Sequence, residues 1–186
     1  EMCIRDRSSN DLCMLEHLDD IAAAGVDTIK IEGRAKGAYY TACVTNAYRH
    51  VLDGEPAQQW ISELDAVSHR PYSTGFFYGN PTQNPGHVDY MRDRLMVASV
   101  IACAEKPDEQ GRYEVQVHCR NKAKASDQLQ VLSAHYPIRE CTLGTVEQWN
   151  GYDAYTPCDV MSRTMGTYKI WLPFAVDPLD LICLKQ

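Results

Sequence analysis

The apolar period of this chain changes once, near residue 92, and that change limits what the chain can fold into. Before it, apolar residues recur at helical spacing. Leu15, Leu18, Ile21 and Ala22 form one run and Tyr40, Val44, Ala47 and Val51 a second, ending at Gly25 and Gly54 respectively. A further short helix is expected over 57–67. After the change, apolar and polar residues alternate in runs at 94–104, 112–119, 128–133, 141–149, 167–174 and 180–185, with turn-rich pieces such as 107–111 and 150–157 between them. Six strands in roughly 95 residues suit a small closed barrel, which leaves no exposed edge.

Between the first two helical runs lies 28-TIKIE-32, where Ile29 and Ile31 alternate with Lys30 and Glu32. Side chains two apart on a strand share a face, so the pattern predicts a strand that is apolar on one side and ionic on the other. Helix, strand and helix joined by short links form an αβα run of a parallel α/β fold. Ile29 and Ile31 then face helices, and Lys30 and Glu32 face a barrel interior or another layer. Gly33 and Arg34 follow Glu32 at once, which places the ionic residues at the carboxyl end of the strand, where α/β folds carry their sites. Two readings stand side by side: Lys30, Glu32 and Arg34 neutralise one another structurally, or they line a site. Residues 28–50 hold Lys30, Arg34, Lys36 and Arg49 against Glu32, an excess of cations that suits an anionic ligand or a solvated helix start.

Residues 68–91 crowd proline, glycine, asparagine and aromatics without a period and read as an ordered, irregular connection. Within it His69, Arg70 and Tyr72 either contact a ligand or pack a junction between domains. The domains expected on either side are 8–67 and 92–186. Residues 1–7, EMCIRDR, have no period and do not begin with Met, so they read as a non-native leader on a truncated chain.

Over 186 residues the net charge is −7, which argues against a generally basic nucleic-acid-binding surface but leaves room for a local patch. No run of eighteen apolar residues and no secretory signal is present, so the sequence indicates neither membrane insertion nor export and the expected compartment is the cytoplasm. Eight cysteines form no C-x-x-C pair and no zinc-ribbon spacing, as expected of free thiols in a reducing compartment. Cys13 differs from the rest because it lies at an expected helix start, whose dipole favours a thiolate. There is no P-loop, G-x-G-x-x-G, H-E-x-x-H or G-x-S-x-G motif.

The runs 10-NDLCMLEHL-18, 24-AGVDTIKIEGRAKGAYYTA-42, 68-SHRPYSTGFFYG-79 and 120-RNKAKASDQLQVL-132 resemble the last third of the collagenase-like U32 peptidase family, in its tRNA 5-hydroxyuridine branch. The resemblance implies the final strand and helix of an α/β (TIM-like) barrel followed by a small C-terminal β-barrel. It implies Lys30, Glu32 and Arg34 as catalytic residues at the barrel mouth, with Lys36, Tyr39, His69 and Arg70 binding substrate. Cys13 would be one ligand of an iron–sulfur cluster whose other ligands lie outside this chain. The activity so implied is oxygen-independent hydroxylation of the wobble uridine of tRNA with prephenate, a small carboxylate, as hydroxyl source. A peptidase is the alternative, and an RNA- or partner-subunit-binding β-module the second alternative. Gly37 stands where the family usually has serine, and 120–127 lacks the usual phenylalanine and the glycine before Asp127.

Overall fold

In a computed structural model, residues 9–80 and 94–185 are described. The chain divides into two compact units, Glu1–Asp93 and Arg94–Gln186. The expected leader, 1–7, lies outside the described residues, as does the later part of the expected connection.

Unit 1 is built on two packed helices. A 3-10 turn at Leu15–His17 runs into the short helix α1 (Leu18–Ala23), which Gly25 ends at φ 80°. The longer helix α2 (Ala38–Leu52) buries Cys43, Val44 and Ala47 on one stripe, and α3 (Ala57–Asp65) buries Trp60, Glu63 and Leu64. Between α2 and α3 the His50 ring stacks on Trp60 at 3.7 Å, and Glu55 accepts a hydrogen bond from Trp60 Nε1 at 2.9 Å while meeting His50 Nδ1 at 2.8 Å. Two short strands, β1 (Asp11–Leu12) and β2 (Tyr72–Ser73), pair in parallel and tie the start of the unit to residues that follow α3.

The strand expected over 28–32 does not form: residues 26–33 join no ladder. The alternation itself is present, since Ile29 and Ile31 are half-buried and Lys30 and Glu32 exposed. A strand is defined by hydrogen bonds to a neighbour, however, and none of the described residues supplies one. The described residues of this stretch form helices beside an extended connection, and the α/β-barrel fragment expected from the pattern is not shown by them.

Unit 2 is all β. One antiparallel sheet holds β3 (Arg94–Cys103), β4 (Tyr113–Cys119), β6 (Gln128–Leu132), β7 (Arg139–Thr142), β8 (Val146–Trp149), β9 (Tyr155–Cys158), β11 (Thr167–Leu172) and β12 (Leu181–Lys185), in the order β7-β6-β12-β3-β4-β11-β8-β9. Inward residues alternate along β4 and β11; in β11 Tyr168, Ile170 and Leu172 are fully buried and join Val115, Val117, Val146 and Ile182 in one core. Register shifts at Val100/Ala102 and Ile182/Cys183 mark bulges, which bend a sheet and increase its twist. The expected closed barrel is corrected by the order of strands: no ladder joins β7 to β9, so the sheet curls and remains open. Both edge strands have only four residues, and β9 carries Pro157, two devices that blunt an exposed edge. A small second ladder pairs β5 (Ala123–Lys124) with β10 (Val160–Met161).

A candidate anion-binding cavity in unit 1

The sequence of unit 1 gathers charge around an apolar hollow. Ile29 and Ile31 turn to one side with Val26, Ile21 of α1 and Val44 of α2, and together they line a cavity of about 620 Å³. Tyr40, in the first turn of α2, and Tyr48, about two turns further along, add polar tips, and Phe77 and Tyr78 add a further aromatic side. Tyr78 is held in place by its hydroxyl, which donates to Asp20, and by its ring, 4.2 Å from that of His17. Six charged side chains also line the cavity: the carboxylates Asp11, Asp20 and Glu32, of which Asp11 is taken by Arg70 and Asp20 by Tyr78, and the cations Lys30, Lys36 and Arg70.

These charges are positioned by the backbone around them. The Arg70 Nε–H and backbone N–H both donate to the Asp11 carboxylate, each at 3.0 Å, so the β1–β2 pairing and this ion pair fix one another. Lys36 Nζ donates to the Ser68 carbonyl at 2.7 Å and lies 5.2 Å from the Tyr40 ring centroid. Glu32 Oε1 accepts the Arg34 backbone N–H at 2.9 Å, which turns the carboxylate back over the 33–35 turn. Burial, reinforced by the negative charges of Asp11 and Glu32, raises the Tyr40 phenol above its usual value, and burial raises Tyr48 further. Both rings are therefore neutral hydrogen-bond donors across the physiological range.

Of the residues singled out in the sequence, Lys30, Glu32, Lys36 and Arg70 share this cavity. Arg34 is exposed and Tyr39 half-buried, and neither lines it. His69 is buried; its Nδ1–H donates to the Arg70 carbonyl at 2.8 Å and its ring stacks on Tyr72 at 4.1 Å, so it packs the chain beneath Arg70. Asp11, Tyr40, Tyr48, Phe77 and Tyr78 were not singled out as site residues. Tyr48 had a signal: it lies four residues past Val44 and eight past Tyr40, on the stripe that points inward.

Cys13 sits in a partly buried position beside Tyr48. Its backbone N–H bonds to Ser73, and its Sγ accepts from the Tyr48 hydroxyl at 3.9 Å, behind the cavity wall. Burial raises its pKa and outweighs the lowering influence of the Leu15 N–H and Tyr48, so the neutral thiol is favoured where the expected helix dipole favoured a thiolate. A cluster of four irons takes about four thiolates. Among the described residues no group of three or more His, Cys, Asp or Glu could hold a metal ion, so the further ligands that a cluster at Cys13 requires are not among them.

Residues 7–86 match the family model described as peptidase family U32. This segment is similar to the U32 family over somewhat less than half of the chain. Among curated relatives, tRNA hydroxylation protein P1 of Bacillus subtilis is 37% identical over 82 residues, covering 40% of this chain and 19% of the relative. The tRNA hydroxylation protein P of Escherichia coli is 27% identical over 179 residues, covering 91% of this chain and 37% of the relative. An uncharacterized protease, MJ0090 of Methanocaldococcus jannaschii, is 39% identical over 84 residues, covering 41% of this chain and 20% of that protein. The chain thus spans only about a fifth to somewhat over a third of the length of these relatives. The U32 segment contains every residue that lines the cavity.

Proposed function

We propose that this chain is part of a tRNA-modifying enzyme of the U32 family, and that the cavity of unit 1 contributes the binding wall for a small carboxylate used in hydroxylating the wobble uridine. The observation that carries this reading is the convergence of Lys30, Lys36 and Arg70 on one cavity, within the segment shared with relatives named tRNA hydroxylation proteins. Cations in a partly desolvated hollow bind carboxylates through charge-assisted hydrogen bonds, and the apolar and aromatic walls accept the hydrophobic body of such a ligand. Arg70 is already held by Asp11, so it is preorganised and loses little freedom on binding. Glu32, exposed at the same cavity, is the group placed to accept a proton from the bound ligand or nucleoside. Prephenate as the hydroxyl source and independence from oxygen belong to this proposal through the resemblance alone.

The test uses the full-length protein in an Escherichia coli strain lacking its own tRNA hydroxylation proteins, with 5-hydroxyuridine in total tRNA measured by mass spectrometry. Restored 5-hydroxyuridine is expected. Glu32→Gln and Lys36→Ala are each expected to lower it at least tenfold; the melting temperature should stay within a few degrees for the exposed Glu32 and fall somewhat more for Lys36, which is half-buried and bonded to the Ser68 carbonyl. Full product in both variants would remove the cavity from the mechanism. Absence of product together with cleavage of denatured collagen would assign a peptidase instead.

A further inference from the structure

Unit 2 carries a second charged feature that the cavity does not use. Residues 119–127 and 158–166 contain Arg120, Lys122, Lys124 and Arg163 against Asp127 and Asp159, a local excess of cations in a chain whose net charge is −7. All four cations are exposed.

The two segments are bound into one surface. Lys124 is in register with Val160 in the β5–β10 ladder, with Ala123 and Met161 buried beneath. Cys119 N–H donates to the Gly166 carbonyl at 2.9 Å and Met165 N–H to the Cys119 carbonyl at 2.7 Å. Arg120 Nη1 lies 2.9 Å from Met165 Sδ, which sets the guanidinium over the 163–166 turn. The backbone N–H groups of Ser162 and Arg163 donate to the hydroxyl of Tyr168, a fully buried core residue. The cations are thus presented from backbone anchored to the core.

The turns themselves are costly to build. Met165 and Ser126 have φ 64° and 76°, and they are two of three non-glycine residues with positive φ among those described. Non-glycine residues reach this region at a cost of about 1 kcal/mol or more and persist where the surroundings enforce it. Asp127, one of the two local carboxylates, is turned inward on the loop: its Oδ2 accepts the Lys124 backbone N–H at 2.9 Å. It orders the loop without forming an ion pair with the lysine ammonium.

We infer that Arg120, Lys122, Lys124 and Arg163 form a phosphate-contacting surface by which unit 2 holds the backbone of a structured RNA. The inference rests on the tRNA reading above and assigns its partner contact to the unit outside the matched U32 segment. Several cations on two anchored segments, one of them in strand β5 and the others in the turns beside it, suit a chain of phosphates better than one small anion, because each neutralised phosphate releases counterions and adds to affinity. The contact is to backbone and carries no base sequence, so it positions the RNA and leaves selection of the target uridine to another part of the protein.

Fluorescence anisotropy of the 186-residue chain with a labelled anticodon stem-loop RNA, over a series of salt concentrations, tests this. Replacing Arg120, Lys122, Lys124 and Arg163 together by alanine is expected to weaken binding at least tenfold. The slope of log affinity against log salt should fall by about three, at about 0.7 to 0.9 per phosphate contact. Lys106→Ala, at an exposed position elsewhere in unit 2, is expected to change affinity less than twofold. In the unsubstituted protein, bound RNA should protect Lys122 and Lys124 from acetylation, a readout that needs no variant to fold. Equal loss from Lys106→Ala, no protection, or binding to phosphatidylserine vesicles with none to RNA would each overturn the inference. If the patch variants lose RNA binding but the full-length protein makes no 5-hydroxyuridine, the hydroxylation reading fails alone. If product forms and RNA affinity ignores the patch, only this inference fails.

Discussion

Residues 28–32 and 167–172 carry the same alternation, yet only the second is a strand. Strand β11 has β4 on one side and β8 on the other, and every second residue enters a core in which Tyr168, Ile170 and Leu172 are fully buried. Ile29 and Ile31 stay half-buried, with no ladder on either side among the described residues. The same contrast holds between the whole units. Both units leave some large apolar side chains exposed, Phe76 in unit 1 at 81% and Leu179 in unit 2 at 83%, but unit 2 gathers its buried ones from paired strands into one core. An alternating pattern states which face is apolar, and neighbouring strands decide whether it becomes a sheet.

Substituting one isoleucine from each segment breaks or sharpens that comparison most directly. Ile170→Ala opens a cavity among packed neighbours and is expected to cost about 2 to 5 kcal/mol in urea unfolding. Ile31→Ala removes a half-exposed side chain and is expected to cost less than about 1 kcal/mol. Equal losses would show that 28–32 is packed as tightly as β11, and the contrast between the units would fall.

What was legible from sequence follows the same physical division. The long helix at Ala38–Leu52 and strands such as Tyr113–Cys119 and Thr167–Leu172 were visible because period and burial agree within one element. The expected run 141–149 is really the end of β7 and the whole of β8, with the buried Leu143 between them. Strand β9 was hidden in a turn-rich stretch: Pro157 speaks against a strand except at an edge, and β9 lies at one. In the site, charge drew attention to Lys30, Glu32, Lys36 and Arg70. Asp11 was missed, since its partner Arg70 stands 59 residues away and only the β1–β2 pairing joins them.

That pairing gives the next largest expected effect. Asp11→Ala removes the acceptor of two hydrogen bonds from a partly buried Arg70 and loosens a ladder of two residue pairs. Hydrogen bonds to charged groups are worth about 1.5 to 3 kcal/mol when buried; with both side chains roughly one-third exposed, a loss of about 1 kcal/mol is expected. Hydrogen exchange should localise it, with faster exchange at the amides of Asp11, Cys13 and Arg70 and none in β11. Accelerated exchange reaching β11 would mean that the units unfold as one.

The smallest expected effect lies in unit 2 and appears only at alkaline pH. Cys141 on the edge strand β7 packs against the core, and burial pushes its thiol up to about 11 against the opposing pull of Arg139. A folded-state pKa above that of the unfolded chain, near 9, means that the folded protein holds the proton more tightly. The stabilisation is then complete below about pH 9 and is lost progressively as pH rises through about 11. Tyrosines titrate in the same range, so the informative quantity is the difference in stability between the native protein and Cys141→Ala. That difference is expected to be constant from pH 6 to 8 and to shrink between pH 9 and 11. A difference independent of pH would show that the thiol ionises as freely in the fold as in the unfolded chain, and that the β7 edge is open to water at Cys141. The contrast drawn between the paired strands of unit 2 and the unpaired stretch 28–32 would then stop at the sheet edge.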